Sequence, residues 1–287
     1  MAQKESNPLQ SFFRSPEAYV SLPSRGYFYP KGTLEVEEGE YELGILPMTA
    51  QDEMMLKNPD ALLSGEAISY VIKSCVPQVN VVDRLLECDI EVIMLGIRKA
   101  SFAENATIGV YCPECDAENH YDINLDVVIN KAQTLEAEYN TIVQGEITVY
   151  VKPNNFKALV KQYQSLYEAG KIQRLLQTST TNDDQRLSLL SNGIKKMSKI
   201  NFELLVDSID KIVYTNAEDE LVEVSNRKHI SEFLQNVKSS EIDKIDQLRM
   251  EIAKTGIAKT APVTCTTCQH EWDAPLEFNP MSFSSAF

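Results

Sequence analysis

Cys112-Pro113-Glu114-Cys115 in the first half of the chain and Cys265-Thr266-Thr267-Cys268 near its end form two Cys-x-x-Cys pairs. An aromatic residue followed by an aspartate comes shortly after each pair, Tyr121-Asp122 in the first case and Trp272-Asp273 in the second. A β-like run precedes each pair. Thiols separated by two residues in a tight turn face one point, so the pattern predicts two similar rubredoxin-type knuckles, each at the tip of a hairpin.

Two such turns supply the four sulfurs that a tetrahedral zinc ion accepts. The sequence therefore predicts that one zinc ion is held by Cys112, Cys115, Cys265 and Cys268. Four thiolates leave no open coordination position, so the expected site is structural rather than catalytic. The residues between the pairs would then form one large closed loop, whose closure entropy grows only slowly with its length.

Other interpretations of the pairs stay open at this point. The pairs could be independent dithiols, disulfides in an oxidising compartment, or a redox pair like that of thioredoxin. The redox pair is disfavoured because that motif opens a helix, whereas residues 116–120 are polar and typical of a turn. His120 and His270 lie near the knuckles and could replace a sulfur, but with four cysteines present we expect them to be solvated turn residues.

The composition limits the class of partner. The chain has 287 residues, with 42 Asp and Glu against 27 Lys and Arg and a net charge of −15. This charge argues against a nucleic-acid partner, because contacts with phosphates need a basic face. No apolar run approaches the roughly 20 residues that span a bilayer, so no membrane partner is expected.

The cysteine usage and the start of the sequence indicate a reducing compartment. Residues 1–8 are polar and lack the apolar core of a signal peptide, so we expect the protein in the cytoplasm. A reducing cytoplasm favours zinc over disulfides for the paired cysteines. Cys75 and Cys88 are single and lie in apolar, helix-like sequence, so we expect them to be core thiols.

Signatures of catalysis are missing from the sequence. It has no Gly-rich phosphate loop, no G-x-S-x-G and no H-E-x-x-H, and only 3 histidines. We therefore expect no enzyme activity and no small-molecule substrate. A metal-dependent enzyme is an alternative, but it would need water in place of one zinc ligand.

The first half of the chain carries clear local signals. Residues 33–37 and 41–46 alternate like the strands of a β-hairpin. Thr49, with an acid three residues later, predicts the start of a short helix. Residues 61–75 and 81–98 are predicted helices, the second of them largely buried. On that buried helix, a candidate internal ion pair is formed by Asp83, Arg84 and Asp89.

The second half is predicted to be mostly helical. Strands are predicted at 146–152 and 220–224, and a helix at about 155–169. Apolar residues at helical spacing predict two further helical stripes, the first at Leu187, Leu190, Ile194 and Met197 and the second beginning at Phe202, Leu205, Ile209 and Ile212.

These signals predict an α+β fold, in which a mostly helical body with small β-hairpins carries a zinc ribbon built from two distant knuckles. The expected organisation is a flexible N-terminal arm at 1–14, an N-terminal α+β region at 15–105, a discontinuous ribbon at 106–126 plus 257–278, a mainly helical insertion at 127–256 and an aromatic C-terminal tail at 279–287.

Two aromatic segments are candidates for contacts with partners. Residues 21–32 are too rich in Pro and Gly for a helix and too aromatic for a solvated linker, so they should lie extended against the core or against a partner. The end of the sequence is also rich in phenylalanine. The predicted partner-binding residues are Tyr27, Phe28, Tyr29, Phe278, Phe283 and Phe287.

The order of several short motifs resembles the T4-type bacteriophage baseplate protein family, which comprises a baseplate hub subunit and tail-assembly factors. Leu22–Pro30 is similar to the family's LPS-x-G-x-x-YP opening, and Pro47–Glu53 to its proline-threonine-acid helix start. Asn58–Gly65 and Ile72–Val76 resemble its P-x-x-LL-x-G and CV block, and Asp89–Arg98 its buried helix before the first knuckle. The resemblance covers roughly residues 15–125 and returns at the second knuckle and the tail.

The resemblance implies a non-enzymatic component of the baseplate hub or a tail-assembly chaperone. Its partners would be other baseplate or tail proteins, with the tape measure protein as one candidate. It would act in the host cytoplasm during assembly and, as a hub component, in the tail of the virion. The alternative function is a zinc-ribbon adaptor or regulator that contacts nucleic acid or the transcription machinery, which the charge of −15 disfavours.

Overall fold

The structure is a computed structural model that describes residues 9, 12–37, 39–178 and 183–276. It is a mixed α and β fold, as predicted. No helix within these residues is long and apolar enough to cross a membrane. Much of the predicted arm at 1–14 lies outside the described residues, but its last residue is anchored: Arg14 donates hydrogen bonds to the backbone oxygens of Pro47 at 2.7 Å and Ser74 at 3.2 Å.

A two-stranded antiparallel sheet opens the fold. It pairs β1 (Ala18–Ser21) with β2 (Glu42–Ile45). The predicted hairpin between 33–37 and 41–46 is therefore wrong, although its second half contains β2. The reason is burial: β2 buries a leucine and an isoleucine completely, and β1 presents apolar residues on the matching face. Residues 33–37 form backbone hydrogen bonds with residues 78–81 instead, where Leu34 pairs with Val79.

The predicted helices of the first half are present with altered boundaries. They are α1 (Ala50–Leu56), α2 (Pro59–Leu63), α3 (Glu66–Cys75) and α4 (Glu87–Ser101). The capping box at Thr49 is confirmed: its side chain accepts from the backbone of the third helical residue, whose carboxylate accepts from the Thr49 backbone.

Two breaks interrupt what the sequence presented as continuous helices. Gly65 has a φ of 79° and separates α2 from α3, because the left-handed conformation ends a helix and suits glycine. The predicted helix at 81–98 begins later, at α4, after a 3-10 turn at Val82–Arg84.

Helix α4 lies at the centre of the molecule. Within the described residues, buried apolar side chains form two clusters, and the start of α4 reaches both. Ile93 and Ile97 belong to the first cluster and are fully buried, which stabilises the fold by about 1.5–3 kcal/mol for each side chain. Cys88 belongs to the second cluster. The predicted burial of this helix is confirmed.

The first ribbon hairpin follows α4 directly. Its strands are β3 (Asn105–Tyr111) and β4 (Glu118–Asn124), which pair along their whole length. The short helix α5 (Leu125–Asn130) then packs against α4, capped by the side chain of Asn124. The hairpin therefore projects from a fixed base on the central helix.

A four-stranded antiparallel sheet organises the second half. Its strands are β5 (Tyr139–Val143), β6 (Ile147–Val151), β7 (Ile209–Thr215) and β8 (Leu221–Val224), in the order β5-β6-β7-β8. The predicted strands at 146–152 and 220–224 are confirmed. The prediction of a mainly helical region did not include the other two strands.

Helices flank this sheet in the chain. A pair of long helices, α6 (Phe156–Thr178) and α7 (Asp183–Ser208), connects β6 to β7. After β8 come α8 (Arg227–Asn236) and α9 (Ser239–Ile252), and α9 packs on β5 and β6.

The predicted helical stripe from Phe202 to Ile212 is wrong beyond Ser208, where β7 begins. The pairing of β6 with β7 shifts register between Tyr150 and Val151. Because of this irregularity, Ile209 and Ile212 both face the core although they are three residues apart. The bulge therefore gives a strand the spacing of a helix.

The second ribbon hairpin closes the described chain. It pairs β9 (Thr260–Thr264) with β10 (Glu271–Pro275). Just before β9, Lys259 forms an ion pair with Glu91 of α4. The ion pair attaches the second hairpin to the same helix that carries the first. The predicted domain boundaries stay predictions.

A buried carboxylate on α4 holds the Pro- and Gly-rich segment near the start of the chain. Asp89 accepts a hydrogen bond from the Ser24 backbone N–H at 2.9 Å and one from the Tyr29 hydroxyl at 2.6 Å. Burial raises the pKa of Asp89 above its usual range. The predicted ion pair with Asp83 and Arg84 is wrong, because both of these side chains are exposed and Asp89 pairs with uncharged donors.

Candidate metal centre

The structure brings the four paired cysteines together. The sulfur atoms of Cys112, Cys115, Cys265 and Cys268 all lie within 4.8 Å of one another. Across the two hairpins, the Cys112 and Cys268 sulfurs are 3.7 Å apart and the Cys115 and Cys265 sulfurs 3.6 Å apart. All six cysteines, which lie within the described part of the chain, are free thiols. The cluster is therefore not a pair of disulfides.

The sulfur separations fit a tetrahedral metal ion. A zinc–sulfur bond of about 2.3 Å places neighbouring corners of a tetrahedron about 3.8 Å apart. The two sulfur–sulfur distances across the cluster, Cys112 to Cys268 and Cys115 to Cys265, differ from this expected distance by about 0.2 Å or less. The donor set therefore matches a four-thiolate zinc ion in both chemistry and size.

The two knuckles have the same backbone geometry. In the first, the N–H of Cys112 donates to Ala117 at 2.9 Å, and the N–H of Asp116 donates back to Cys112 at 2.9 Å. In the second, Cys265 donates to His270 at 2.8 Å, and Gln269 donates back to Cys265 at 3.1 Å. These matched turns explain why each pair presents both sulfurs to one point.

Each turn also contains one residue in the left-handed region at the same place. Asp116, directly after the second cysteine of the first pair, has a φ of 57°, and Gln269, at the equivalent place in the second, has a φ of 61°. Residues other than glycine rarely adopt this backbone conformation, and they do so mainly in tight turns. The first cysteine of each pair is buried and the second is exposed. The knuckles are thus equivalent in backbone conformation and in burial.

Asn119 connects the first knuckle to the second and was not identified from the sequence. Its side chain is 2% exposed and donates to the Cys265 sulfur at 3.6 Å. Its oxygen accepts from the backbone N–H of Thr266 at 3.0 Å and from the Thr266 hydroxyl at 2.8 Å. An asparagine in a polar strand gives no signal of such a role, because the contact crosses 146 residues of sequence.

The electrostatics of the cluster favour a thiolate at Cys265. Hydrogen bonds from the backbone N–H groups of Cys268 and Thr267 and from neighbouring thiols lower the pKa of this thiol to about 6, although burial acts in the opposite direction and raises it. The backbone N–H of Ala117 lowers the pKa of Cys115, but hydrogen bonding with Cys268 and burial raise it to about 12 overall. Four sulfurs this close repel one another when ionised, and a divalent cation would remove that repulsion.

Aromatic side chains pack the two hairpins together. The Tyr121 hydroxyl donates to the backbone oxygen of Thr264 at 2.8 Å, and its ring meets Trp272 edge to face. His270 stacks on Trp272, and His120 is exposed beside Glu118. Among the described residues, the cluster that could hold a metal contains the four cysteines and neither histidine.

The two single cysteines are buried, as predicted. Cys75 and Cys88 lie in the two core clusters. Burial raises the pKa of Cys75 to about 12, and burial also raises that of Cys88. Both are therefore protonated thiols at neutral pH.

The predicted partner-binding residues have different surroundings. Tyr27 is exposed, and Phe28 stacks on Tyr139 at a ring separation of 6.3 Å. Tyr29 is turned inward, since its hydroxyl donates to Asp89 and accepts from the backbone N–H of Leu86 at 2.9 Å. Its part in partner binding stays a prediction, although these contacts hold it inside its own chain. The other predicted residues lie outside the described residues, namely Phe278, Phe283 and Phe287.

Comparison with known proteins gives one match. A family model described as T4 bacteriophage base plate protein matches residues 30–283, which is most of the chain. No curated protein and no solved structure matches. The matched region contains both cysteine pairs, the central helix α4 and residues 130–255, which lie outside the resemblance found from the sequence alone. The chain belongs to the T4 bacteriophage base plate protein family.

Proposed function

We propose that this protein is a non-enzymatic component of the baseplate hub, or a chaperone of tail assembly, that acts through protein–protein contacts. The observation that carries the proposal is the family match over residues 30–283, which indicates a structural phage protein. Its partners would be other baseplate or tail proteins, with the tape measure protein as one candidate. Neither a small molecule nor nucleic acid nor a membrane is required by this role.

We further propose that the four cysteines hold a structural zinc ion. The sulfur separations and the matched knuckles support this assignment. Cys112, Cys115, Cys265 and Cys268 would be the ligands, and Asn119 would orient the Cys265 sulfur from outside the ligand shell. A metal fixed in this way adds its binding free energy to that of folding. Its role would be to keep the two hairpins joined.

Mass spectrometry of purified particles tests the role and separates its two forms. A hub component should be present at fixed stoichiometry in mature virions and in isolated baseplates. A chaperone should be bound to an assembly intermediate and missing from mature virions. Infection without this protein should then accumulate particles that lack a complete baseplate. Normal tails made in its absence would contradict both forms of the proposal.

Metal analysis of protein purified without added metal tests the zinc assignment. We expect one zinc ion per chain and a native mass that does not depend on added metal. A purified protein without metal, whose cysteines form disulfides freely, would overturn the assignment and favour a redox role for both pairs.

Asn119→Ala should weaken zinc binding while leaving the ligands in place. The variant removes the hydrogen bonds that hold Thr266 and the Cys265 sulfur, and loss of such outer contacts typically lowers metal affinity by about 10- to 100-fold. Competition with a chromogenic chelator measures the affinity. Glu118→Ala, on the same strand but exposed, is the matched control and should retain wild-type affinity. Equal affinities of the two variants would remove Asn119 from the site.

Deletion of Phe278–Phe287 should weaken partner binding while the fold stays intact. An aromatic terminal segment is suited to bury apolar surface against a partner, and aromatic side chains are common among the residues that dominate interfaces. We expect a loss of about tenfold or more in affinity for the baseplate protein that co-purifies with the full chain. Replacing the three phenylalanines by serine should have the same effect. Unchanged binding in both variants would discard the tail as a contact.

A further inference from the structure

A cleft of about 380 Å³ lies where the segment containing Phe28 meets the loop after β6 and the start of α6. The end of α7 and the start of α8 complete it. Among the described residues, one acid, Asp207, lines this basic cleft, together with five cationic side chains, which are Arg84, Lys152, Lys157, Lys161 and Arg227. The cleft is distinct from the cysteine cluster, which lies on the two ribbon hairpins.

The charge of the basic cleft is opposite to that of the protein. The whole chain has 42 acids and 27 bases, yet bases outnumber acids in the lining by five to one. Like charges held together in a concave site repel one another and concentrate the positive potential there. Such a cluster in an acidic chain provides a local positive potential that attracts carboxylates and other anions.

Internal ion pairs neutralise only part of the basic cleft. Asp207 forms ion pairs with Arg227 and with Lys161, and the Lys161 nitrogen lies 4.0 Å from its carboxylate. Lys152 reaches Asp210 at 3.5 Å, just outside the lining. Lys161 also lies 3.8 Å from Glu203.

Two cations of the basic cleft have no such partner. Arg84 and Lys157 are exposed, and neither forms an ion pair with any residue that the structure describes. They come from different elements, the 3-10 turn at Val82–Arg84 and the first turn of α6. An external anion should therefore bind most strongly beside Arg84 and Lys157, because it does not have to displace an internal carboxylate there.

We propose that the basic cleft binds an acidic segment of a partner baseplate protein. Carboxylates of the segment would pair with Arg84 and Lys157, and an apolar side chain would contact Phe28 and Pro30, which also line the cleft. The inference rests on the proposed function for the class of partner. It adds a surface and the chemistry that this surface recognises.

A short acidic peptide fits the basic cleft better than nucleic acid does. The volume is in the range of sites for small ligands or a few side chains. A nucleic acid would extend beyond the cleft across a protein whose net charge is −15, and its phosphates would be repelled there. A peptide can place its carboxylates in the cleft and avoid that surface.

The test uses a fluorescein-labelled hexaglutamate peptide and the zinc-loaded protein of residues 1–287. Anisotropy should show binding at about 50 mM salt that weakens at about 300 mM, because the free cations are exposed to screening. Arg84→Glu combined with Lys157→Glu should weaken binding by about tenfold or more. The matched control is Lys57→Glu with Lys73→Glu, which changes the net charge equally at exposed sites that do not line the cleft. Unfolding curves of both double variants check that the fold is retained.

The outcomes separate this inference from the proposed function. Weaker peptide binding in the Arg84 and Lys157 variant, with unchanged binding in the control variant, supports the basic cleft as the binding site. An equal loss of peptide affinity in both double variants, or no peptide binding by the wild-type chain, overturns the proposal. A labelled six-nucleotide oligothymidylate is the competing ligand. If it binds more tightly than the peptide, and the Arg84 and Lys157 variant loses this binding, the acidic-peptide proposal is overturned in favour of nucleic acid. The test with virions and baseplates decides the assembly role independently of all these results.

Discussion

Replacing Cys112 by serine should abolish stoichiometric zinc binding and loosen both ribbon hairpins together. The side chain is 1% exposed, and its sulfur lies across the cluster from that of Cys268. Serine is a poor zinc ligand and leaves a hydroxyl in a buried site. We expect the free energy of unfolding to fall by about 3 kcal/mol or more, since a structural metal adds its binding free energy to folding. Metal analysis and urea unfolding measure the two effects.

His120→Ala provides the matched control for that variant. His120 is exposed beside the first knuckle and does not belong to the cluster of sulfur atoms. Its removal should leave one zinc ion per chain and an unchanged unfolding curve. Chelation of wild-type protein should reproduce the loss seen in Cys112→Ser. Full zinc occupancy together with an unchanged unfolding curve in Cys112→Ser would contradict the assignment of Cys112 as a ligand of the structural zinc ion.

The second large effect is expected at Asp89, where alanine should destabilise the protein by about 2–3 kcal/mol. The substitution leaves the Ser24 N–H and the Tyr29 hydroxyl without their acceptor in a buried place. Part of the loss is offset because the variant no longer buries a carboxyl group. Urea unfolding monitored by tyrosine and tryptophan fluorescence measures the difference. A loss below about 0.5 kcal/mol would mean that water replaces the carboxylate.

The pH dependence of the Asp89→Ala effect has a defined sign. Burial raises the pKa of Asp89 in the folded protein, so the folded state binds the proton more tightly than the unfolded state. The stabilising contribution is therefore greatest at low pH and declines as the pH rises through the raised value. The difference between wild type and variant should decline in the same direction. Tyr29→Phe removes the hydrogen bond that Asp89 accepts from the hydroxyl and the one that the hydroxyl accepts from the Leu86 backbone N–H, so it should cost about 1–3 kcal/mol.

The features that sequence predicted best are local ones. The two knuckles are encoded within a few residues each, and the Thr49 capping box within four. The burial of α4 follows from apolar residues around most of its circumference. Cys75 and Cys88 were predictable as core thiols because their neighbours are apolar.

The features that sequence missed depend on contacts between distant residues. Strand β2 pairs with β1 rather than with the nearby residues 33–37, which form backbone hydrogen bonds with the distant residues 78–81. The bulge opposite Tyr150 and Val151 lets β7 place inward residues three apart, which the sequence alone presents as a helix. Asn119 has no local pattern, since its role exists only once the second knuckle is beside it.

The sequence separation between the two knuckles has a consequence for synthesis on the ribosome. Cys115 and Cys265, whose sulfurs meet across the cluster, are separated by 150 positions. At about 5–20 residues per second, translation from one to the other takes roughly 8–30 s. During that time, the nascent chain contains only two of the four cysteines of the cluster, which is too few for the proposed four-thiolate site. The proposed centre can therefore be completed only after Cys268 has been translated, and a chain that terminates before Cys265 keeps only the first cysteine pair.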